Sequence, residues 1–376
     1  MRQRIAIPAA ALLFAAPLAA ETNVVATDPV GVLRYVFQAN SDTSMSLPLH
    51  RPTEFAGAVG AVGPNWITAA APSNSPINWT DNDWTYGNGT NANNTYYVMF
   101  TTGALEGAWF EITGNNSNTL FLDTAGLPSL AGAGVAASNT FEIIPFWTPA
   151  SLFPNGDGFI KTTDVRNPKG YLLIPDSQTP GVNLGTSAAY FYLSNAAPSP
   201  ASGWYKLLGG TTLRNDEPLP SDTYYLIRNL TSLPVTNFGP GAVPMHDFRT
   251  PIGRMADGTP QDVFVSLNFP VDTSLIESGL QDSPGFTKTT DVRQPKDYLL
   301  VYDNDSPGLN KGTSAAYFFF TNLTGSGAAT GWYKLLGGTT LQNTNKIFRA
   351  GQGYIVRLSS GPAGSDFWVA QPPYSR

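Results

Sequence analysis

Two long stretches of the chain have nearly the same sequence. The 36 residues that begin at Gly158 match the 36 that begin at Gly285 at 24 positions, counted directly. Farther along both copies, the segment GWYKLLGGTTL recurs without change. Because sequences this similar adopt the same structure, residues 158–240 and 285–371 are expected to share one fold, which any architecture for the chain must contain twice.

A weaker similarity continues upstream of both copies. Residues 146–152 resemble residues 269–275, so the repeated unit is expected to start near residue 141 and again near residue 262. Residues 21–140 do not join the repeat and are predicted to form a separate N-terminal β module. The predicted divisions are a signal peptide at 1–20, the N-terminal module at 21–140, the first repeat unit with its connector at 141–261, and the second repeat unit at 262–376.

Each copy consists of short apolar segments separated by turn residues. In the first copy these segments are 171–174, 186–193 and 204–208, and pairs such as Gly209-Gly210 mark the turns. A spacing of roughly 8 to 15 residues between turn signals is typical of antiparallel β structure. The predicted fold class is therefore all-β, with antiparallel β-sandwich or barrel-like modules and an internal duplication in the C-terminal two-thirds. A short helix is expected near 273–279.

The first 20 residues have the pattern of a secretory signal peptide. Arg2 and Arg4 precede an apolar stretch from residue 5 to residue 18, and small residues follow it. The stretch is shorter than the roughly 20 residues of a membrane-spanning helix, and two prolines interrupt it. Cleavage near Ala20 is expected, and the mature protein is predicted to be exported to the periplasm, the cell surface or the extracellular space, without a transmembrane segment.

The composition excludes several classes of site. The net charge is −6 and only 13% of residues are charged, so the Lys/Arg clusters that bind nucleic acid are not present. The sequence contains no cysteine, which excludes disulfides and thiolate metal sites. With 42% hydrophobic and 12% aromatic residues, the packed core itself must stabilise an exported chain of this length.

An Asn-rich loop at 74–95 contains the strongest binding candidates. Aromatic faces stack on sugar rings, and carboxylates accept hydrogen bonds from hydroxyls or coordinate Ca²⁺. The candidate ligand-binding residues are Trp79, Asp81, Asp83, Trp84 and Tyr86. The alternative is that the tryptophans fix a long loop in place. A second candidate for Ca²⁺ is Asp303-Asn304-Asp305, whose counterpart Asp176-Ser177-Gln178 has one acid fewer. No other cofactor is predicted.

A set of charged residues occurs in both copies of the repeat. These residues are Lys161, Asp164 and Arg166 in the first copy, and Lys288, Asp291 and Arg293 in the second. Residues two apart on a strand share one face, so each set is a candidate polar ligand patch. The favoured interpretation is structural, namely an ion pair that closes a β-hairpin, which contributes about 0–1 kcal/mol when exposed.

No catalytic constellation emerges from the sequence. His50 and His246 are the two histidines, and each is a candidate general base or metal ligand only if other groups converge on it. The G-x-S-x-G motif of serine hydrolases is absent; Gly185-Thr-Ser-Ala-Ala189 and its copy at Gly312 lack the final glycine. No catalytic residue and no metal site are therefore predicted.

Several loose motifs along the mature chain resemble an uncharacterised family of secreted, β-rich bacterial proteins. They are 47–52 (LPLHRP), 96–98 (YYV), 120–123 (LFLD), 243–250 (VPMHDFRT), 273–280 (TSLIESGL), 308–310 (GLN) and 368–374. The resemblance implies export and β structure and brings no activity. The expected function is that of an exported non-enzymatic structural or interaction protein, with a protein or glycan partner at the cell surface. The alternatives are a carbohydrate-binding protein that uses the aromatic loop, and a secreted hydrolase.

Overall fold

A computed structural model describes residues 29–374, except 72–75, 89–91, 125–126, 128, 196–199 and 324–326. The regular structure of the described residues is almost entirely β, in sheets and two-stranded ribbons whose strands pair antiparallel apart from one short parallel pair, which confirms the all-β prediction. The signal-peptide prediction lies outside the described residues. The strands are β1 (Val30–Phe37), β2 (Ser41–Met45), β3 (Phe55–Val62), β4 (Trp66–Ala69), β5 (Tyr96–Phe100), β6 (Trp109–Asn115), β7 (Thr119–Leu122), β8 (Thr140–Pro145), β9 (Lys161–Thr162), β10 (Gly170–Pro175), β11 (Thr186–Leu193), β12 (Gly203–Lys206), β13 (Tyr225–Asn229), β14 (Val235–Ala242), β15 (Phe248–Arg254), β16 (Gln261–Ser266), β17 (Tyr298–Val301), β18 (Ala315–Phe320), β19 (Gly331–Lys334), β20 (Gly353–Leu358) and β21 (Gly364–Ala370). One α-helix, α1 (Pro149–Leu152), and two 3-10 helices, Pro154–Gly156 and Leu280–Asp282, complete the described elements.

Strands β3 to β8 close into a six-stranded barrel. Their order around the barrel is β3-β4-β7-β6-β5-β8. The barrel closes where β3 pairs with β8, with Phe55 opposite Ile143. Alternate side chains of β6 point inward, since Phe110 and Ile112 are buried while Glu111 between them is exposed. The barrel therefore has a hydrophobic core of its own.

The remaining strands form two units with corresponding topology. The first unit contains β1, β2, α1 and β9–β14, with a sheet in the order β12-β11-β10-β13-β2 and a ribbon of β1 and β14. The second unit contains β15–β21, with a sheet in the order β19-β18-β17-β20-β16 and a ribbon of β15 and β21. One face of each sheet covers a separate core, which contains Trp204 in the first unit and Trp332 in the second.

The barrel lies within the first unit along the chain, between β2 and α1. Strand β1 pairs with β14 and β2 pairs with β13, so residues 30–45 belong to the first unit and the predicted module 21–140 is divided. Strand β2 has the polar sequence SDTSM, yet all five of its residues are buried. Because polar side chains do not show the alternation of an amphipathic strand, the sequence pattern gives no sign of this element.

The segment 273–279 forms a capped turn rather than the helix expected there. The Ser274 hydroxyl donates to the Glu277 carboxylate at 2.6 Å, and the Glu277 N–H donates back to the hydroxyl oxygen at 3.4 Å. This reciprocal pair resembles the start of a helix. Gly279 then adopts φ +69, a left-handed conformation typical of a helix end, and the 3-10 helix Leu280–Asp282 follows.

The barrel packs against the ribbon of the second unit. The backbone N–H of Arg249 donates to the Gly107 carbonyl at 3.0 Å, and its Nε donates to the Glu106 carbonyl at 2.7 Å. Gly107 has φ +81, and a Cβ there would overlap the carbonyl of Asp247. Only glycine therefore permits this close approach.

Each unit covers the edge strand of the other. The Asp42 N–H in β2 donates to the Gly308 carbonyl of the second unit at 2.9 Å. The Asp262 N–H in β16 donates to the Gly181 carbonyl of the first unit, also at 2.9 Å. Because unpaired edge strands invite association with other chains, these bonds both join the units and protect their edges.

An arginine–aspartate pair strengthens each of these junctions, and the two pairs are arranged reciprocally. Arg228 donates from Nε and Nη2 to the two Asp42 carboxylate oxygens at 2.7 and 2.8 Å, and from Nη2 to the Asn310 side-chain oxygen at 2.6 Å. The Asn310 N–H donates to Asp42 at 2.7 Å. Charge-assisted bidentate bonds of this kind are strong and geometrically specific.

The second junction repeats this pattern with the units exchanged. Arg357 bonds both carboxylate oxygens of Asp262 at 2.7 and 2.8 Å, and its Nη2 donates to Asn183 of the first unit at 2.7 Å. The Asn183 N–H donates to Asp262 at 2.7 Å. Asn183 and Asn310 have φ of 55 and 51, a left-handed conformation that Asn tolerates better than most residues.

Replacing Asp42 with Ala should lower the free energy of unfolding by about 2–4 kcal/mol, because the partly buried Arg228 guanidinium loses its carboxylate. The Asp42 side chain is only 6% exposed, so water cannot fully replace it. Urea unfolding of the full chain measures the change. Asp157→Ala is the control, since it removes the exposed partner of Lys161 and should alter stability far less. Equal changes in the two variants would contradict the structural role of Asp42.

Candidate functional site

A large cleft lies between the sheets of the two units. Its volume is about 980 Å³. The apolar part of its wall contains Leu173, Leu226, Phe264 and Ile355. These side chains lie on the sheet faces that point away from the two Trp-containing cores, because alternate residues of a strand point to opposite faces. The cleft thus occupies the space that remains where these two sheet faces pack against each other incompletely.

Two corresponding loops line the mouth of the cleft. They are residues 183–186 (Asn-Leu-Gly-Thr) and residues 310–313 (Asn-Lys-Gly-Thr), which occupy the same position in the two copies of the repeat. Leu184 of the first loop contributes to the apolar contact between the units, whereas Lys311 replaces it in the second. The two sides of the cleft therefore differ in charge although their backbones correspond.

The cleft wall contains three cations and two carboxylates. Arg228, Arg357 and Lys311 are the cations, and Asp42 and Asp262 are the carboxylates already bonded to the arginines. Hydrogen bonds to these aspartates raise the pKa of each arginine, with burial acting in the opposite direction. Burial lowers the pKa of Lys311, whereas nearby acids led by Asp303 raise it.

Lys311 is held in place by the loop that precedes it. Its ammonium donates to the carbonyls of Asp303 and Ser306, both at 2.7 Å. Asn304 in the same loop accepts from the Ser44 N–H at 2.9 Å and donates to the Ser44 carbonyl at 2.8 Å, so the loop is attached to β2. These bonds fix the loop across one side of the cleft.

Two tyrosines meet at the cleft wall. The Tyr224 hydroxyl donates to the Tyr302 hydroxyl at 3.3 Å. Burial raises the pKa of both phenols. Position 353 of the second unit corresponds to Tyr224 and is glycine, and a Cβ there would overlap the Tyr224 side chain. The two units therefore fit together because one contributes the ring and the other leaves room for it.

A second groove lies where the barrel meets the two units. A volume of about 330 Å³ is lined by Trp109, Glu111, Asp123, Asp222 and Arg249, among others, and an adjoining volume of about 400 Å³ shares Trp109 and Asp222 with it. Although the Glu111 side chain is exposed, the groove walls desolvate it in part and raise its pKa, and the charge of Asp123 adds to this effect. Burial raises the pKa of Asp222 to about 6, while hydrogen bonds from its own N–H and from the Trp109 indole act in the opposite direction.

The tryptophans of the predicted aromatic loop pack against the barrel core. Trp79 makes edge-on contacts with Phe55 and Trp84, at ring-centre distances of 5.1 and 5.8 Å. Trp84 in turn contacts Tyr96 edge-on at 5.2 Å. Both tryptophans are partly buried against the hydrophobic core of the barrel. Their ring edges and faces are thus engaged in a chain of aromatic contacts that fixes the loop.

The other three candidate residues of this loop lie apart from the aromatic contacts of the two tryptophans. Asp81 is exposed, and Asp83 is half-buried in a turn, with its N–H donating to the Thr80 carbonyl at 3.1 Å. Tyr86 is 56% exposed, and it hydrogen-bonds Asp216 of the first unit. The structure therefore does not bring the five residues together on one open surface.

The loop at 303–305 uses its acids for bonds within the protein. Asp303 accepts from the Asp305 and Ser306 N–H groups at 2.9 and 3.2 Å, and Asp305 pairs with Arg349 at 2.7 Å. In the counterpart, Asp176 accepts from the Gln178 N–H at 3.0 Å. Over the described ranges, no group of three or more His, Asp or Glu residues is placed to hold a metal ion.

The repeated charged residues lie at turns. Asp164 accepts from the Arg166 N–H at 2.9 Å, and Asp291 accepts from the Arg293 N–H at the same distance. The lysines of this set form surface ion pairs: Lys161 with Asp157 at 2.6 Å, and Lys288 with Asp282 at 3.5 Å. The carboxylates thus stabilise tight turns through backbone bonds, and the predicted pairing of Asp and Arg side chains is replaced by this geometry.

The histidines occupy different surroundings. The buried His50 forms an isolated bridge with Ala242, and its Nδ1 lies 2.7 Å from the Arg51 carbonyl. His246 lies between two carboxylates, with Nδ1 4.0 Å from Glu106 and Nε2 3.9 Å from Glu142.

The serines of the two Gly-Thr-Ser segments lie at the entry to β11 and β18. The Ser187 hydroxyl donates to the Pro175 carbonyl at 3.2 Å, and the Ser314 hydroxyl donates to the Val301 carbonyl at 3.1 Å. Both hydroxyls thus bond neighbouring strands.

The sequence contains one indication of the cleft, although the cleft was not predicted from it. The Asn-x-Gly-Thr-Ser segments and the arginines at 228 and 357 occur at corresponding positions of the repeat. Asp42 carries no such signal, because β2 lies outside the strongly similar region. The pairing that places it beside Arg228 becomes visible only in three dimensions.

No protein family model, curated protein or solved structure matches the chain. Within the part of the chain that the structure describes, no helix combines the length and hydrophobicity needed to cross a membrane.

Replacing Trp84 with Ala should lower the free energy of unfolding by about 2–4 kcal/mol, because it removes a ring from the aromatic chain and leaves a cavity. Chemical unfolding, followed by circular dichroism, measures the change. Tyr86→Ala, in the same loop but largely exposed, is the matched control and should cost clearly less. If Trp84→Ala were as stable as the wild type, the tryptophan would not be packed as described.

Replacing Asp222 with Asn should stabilise the protein at neutral pH. Because the pKa of Asp222 is higher in the folded than in the unfolded chain, the folded state binds the proton more tightly, and stability falls as pH rises from about 4 through about 6. Removing the charge should raise the free energy of unfolding at pH 7 by about 1–2 kcal/mol, since the residue keeps some exposure to solvent. Thermal unfolding at pH 4, 5, 6 and 7 measures this, and an equal gain at pH 4 and pH 7 would contradict it.

Proposed function

We propose that this chain is an exported, non-enzymatic interaction protein that binds a ligand in the cleft between its two units. The observation that carries the proposal is the cleft itself, with a volume of about 980 Å³ and a wall that combines apolar side chains with a few fixed charged groups. Ligand sites in proteins commonly have this size and this mixture. The proposed export rests on the N-terminal sequence.

The junctions between the units support a binding role because they hold the cleft open before a ligand arrives. Asp42 with Arg228 and Asp262 with Arg357 are bonded at both carboxylate oxygens. A site that is already ordered loses little conformational freedom on binding, which favours affinity.

The same bonds argue for a binding role over catalysis. General acid–base chemistry needs a carboxyl group that is free to exchange a proton with the substrate. Each cleft aspartate instead accepts three hydrogen bonds, two from an arginine and one from a backbone N–H. These bonds occupy the carboxylate oxygen atoms that would have to exchange a proton with a substrate.

The two alternatives from the sequence have less support. A carbohydrate site on the aromatic loop would need open faces of Trp79 and Trp84, but the two rings contact each other edge-on and pack against the barrel core. A hydrolase would use His246, which lies between Glu106 and Glu142 and apart from the residues that line the cleft. Neither alternative explains the cleft.

A bulky substitution at the mouth of the cleft should abolish binding. A Cβ at Gly312 has no neighbour within 4 Å, so Gly312→Trp should fold and fill the opening. The protein is purified from the export fraction of a bacterial host, where its mass should match a chain that begins at Glu21. A thermal-shift screen of organic acids, sugars and amines is then run on the wild type and the variant.

We expect compounds that raise the melting temperature of the wild type to have no effect on Gly312→Trp. Lys334→Trp is the matched control, because Lys334 is exposed at the end of β19 and does not line the cleft. This control should keep every response of the wild type. Responses that survive in Gly312→Trp would place binding elsewhere, and a complete lack of responses would argue against a ligand-binding role.

A further inference from the structure

We propose that the ligand of the cleft is an organic anion with an apolar or aromatic body. This inference rests on the binding role proposed above and specifies the chemical class of the ligand. It follows from the charges that remain unneutralised in the cleft, from the nature of its walls and from the difference between its two mouth loops.

The cleft has an excess of positive charge in a chain whose net charge is −6. Its described lining contains Arg228, Arg357 and Lys311 against Asp42 and Asp262. Each aspartate is paired with one arginine and also accepts a hydrogen bond from one backbone N–H. The cation left over in the lining is Lys311, which also feels the charges of Asp303 and Asp305 from outside the lining. An anion that enters the cleft meets no unpaired carboxylate in the lining.

The arginines keep donors that the aspartates do not use. Each uses Nε and Nη2 for its carboxylate and for the asparagine of the other unit. Among the described residues, the Nη1 group of neither arginine has a protein acceptor, and the two side chains retain 26% and 29% exposure. Because both arginines line the cleft, these N–H groups are available to a carboxylate, which they bind with charge-assisted hydrogen bonds.

Lys311 adds a third donor on one side of the cleft mouth. Its ammonium has three N–H groups, and two carbonyls accept from them at 2.7 Å, which leaves one for a ligand. Burial penalises this charge and lowers the pKa of Lys311, so a nearby anion would offset a cost that the folded protein already bears. The lysine is also fixed by its loop, which reduces the freedom lost on binding.

The walls indicate that the anion carries an apolar body. Leu173, Leu226, Phe264 and Ile355 face the cleft, and Tyr171 contributes an aromatic ring. A bare inorganic anion would leave most of a volume of about 980 Å³ unoccupied and would make no use of these surfaces. A carboxylate on a hydrophobic chain or ring would satisfy both the donors and the walls.

The difference between the mouth loops sets the orientation of the ligand. Lys311 in one loop corresponds to Leu184 in the other, and Leu184 packs in the apolar contact between the units. The anionic group is therefore expected on the Lys311 side of the mouth, with the apolar body directed toward Leu226 and Phe264.

Isothermal titration calorimetry with matched probes tests the charge of the ligand. The probes are 4-phenylbutyrate, 4-phenylbutanol and 4-phenylbutylamine, together with the corresponding octyl compounds and inorganic phosphate. We expect the carboxylates to bind the wild type at least tenfold more tightly than the alcohols, the amines to bind most weakly, and phosphate to bind more weakly than the organic carboxylates.

Lys311→Leu tests the residue that distinguishes the two loops. It gives the second loop the Asn-Leu-Gly-Thr sequence that already folds at 183–186, so the variant should still fold, with a melting temperature lowered only by the loss of the two bonds to the Asp303 and Ser306 carbonyls. Its affinity for the carboxylates should fall about tenfold, while its affinity for the alcohols stays unchanged. Lys334→Leu removes a lysine from the surface outside the cleft and should change neither.

The outcomes separate the two proposals. If alcohols and carboxylates bind equally and both lose binding in Gly312→Trp, the cleft binds ligands but the anionic class is wrong. If the carboxylates bind Lys311→Leu as tightly as the wild type, the assignment of the anionic group to the Lys311 side of the cleft is wrong. If none of these probes binds at millimolar concentration but other compounds in the thermal-shift screen bind, the proposed ligand class is wrong. If no compound in the thermal-shift screen binds either, the proposed binding role is wrong as well.

Discussion

The reciprocal bonds between arginine, aspartate and asparagine are the constraint on which the arrangement of the two units depends. Arg228 and Arg357 each reach a carboxylate on the edge strand of their own sheet and an asparagine from the opposite unit. A side chain that bonds both units at once fixes distance and orientation together. Because the same geometry occurs twice, neither unit can rotate without breaking charge-assisted bonds at both junctions.

Within this arrangement, the two sides of the cleft differ because corresponding positions of the two similar units carry different residues. Lys311 replaces Leu184, and Tyr224 occupies space that its counterpart, Gly353, leaves free. An interface between two identical halves would be self-complementary and would tend to close, as in symmetric dimers. The Tyr224 ring instead fits the space that Gly353 leaves, and the exchange of Leu184 for Lys311 gives the two sides of the cleft unlike surfaces.

Much of the β structure could be predicted from the sequence, because its strands carry local signals. The apolar segment predicted at 186–193 is β11, and the segment at 171–174 lies within β10. Strand β2 could not be predicted, since its polar residues are buried through pairing with β13 and with loops of the second unit. The cleft depends on that pairing, and the packing of Trp84 against Tyr96 depends equally on closure of the barrel, which no local pattern encodes.

The position of the barrel within the first unit has a consequence for the order of folding. Met45 of β2 lies opposite Tyr225 of β13, so the first sheet joins segments separated by the entire barrel. Closing a long loop costs conformational entropy, whereas the barrel and the second unit are each built from continuous segments. In a chain synthesised from its N-terminus, strands β1 and β2 are made before the barrel segment, and their partners β14 and β13 are made after it. Because the barrel is inserted after β2, the N-terminal strands can pair with β14 and β13 only after the whole barrel segment has been made.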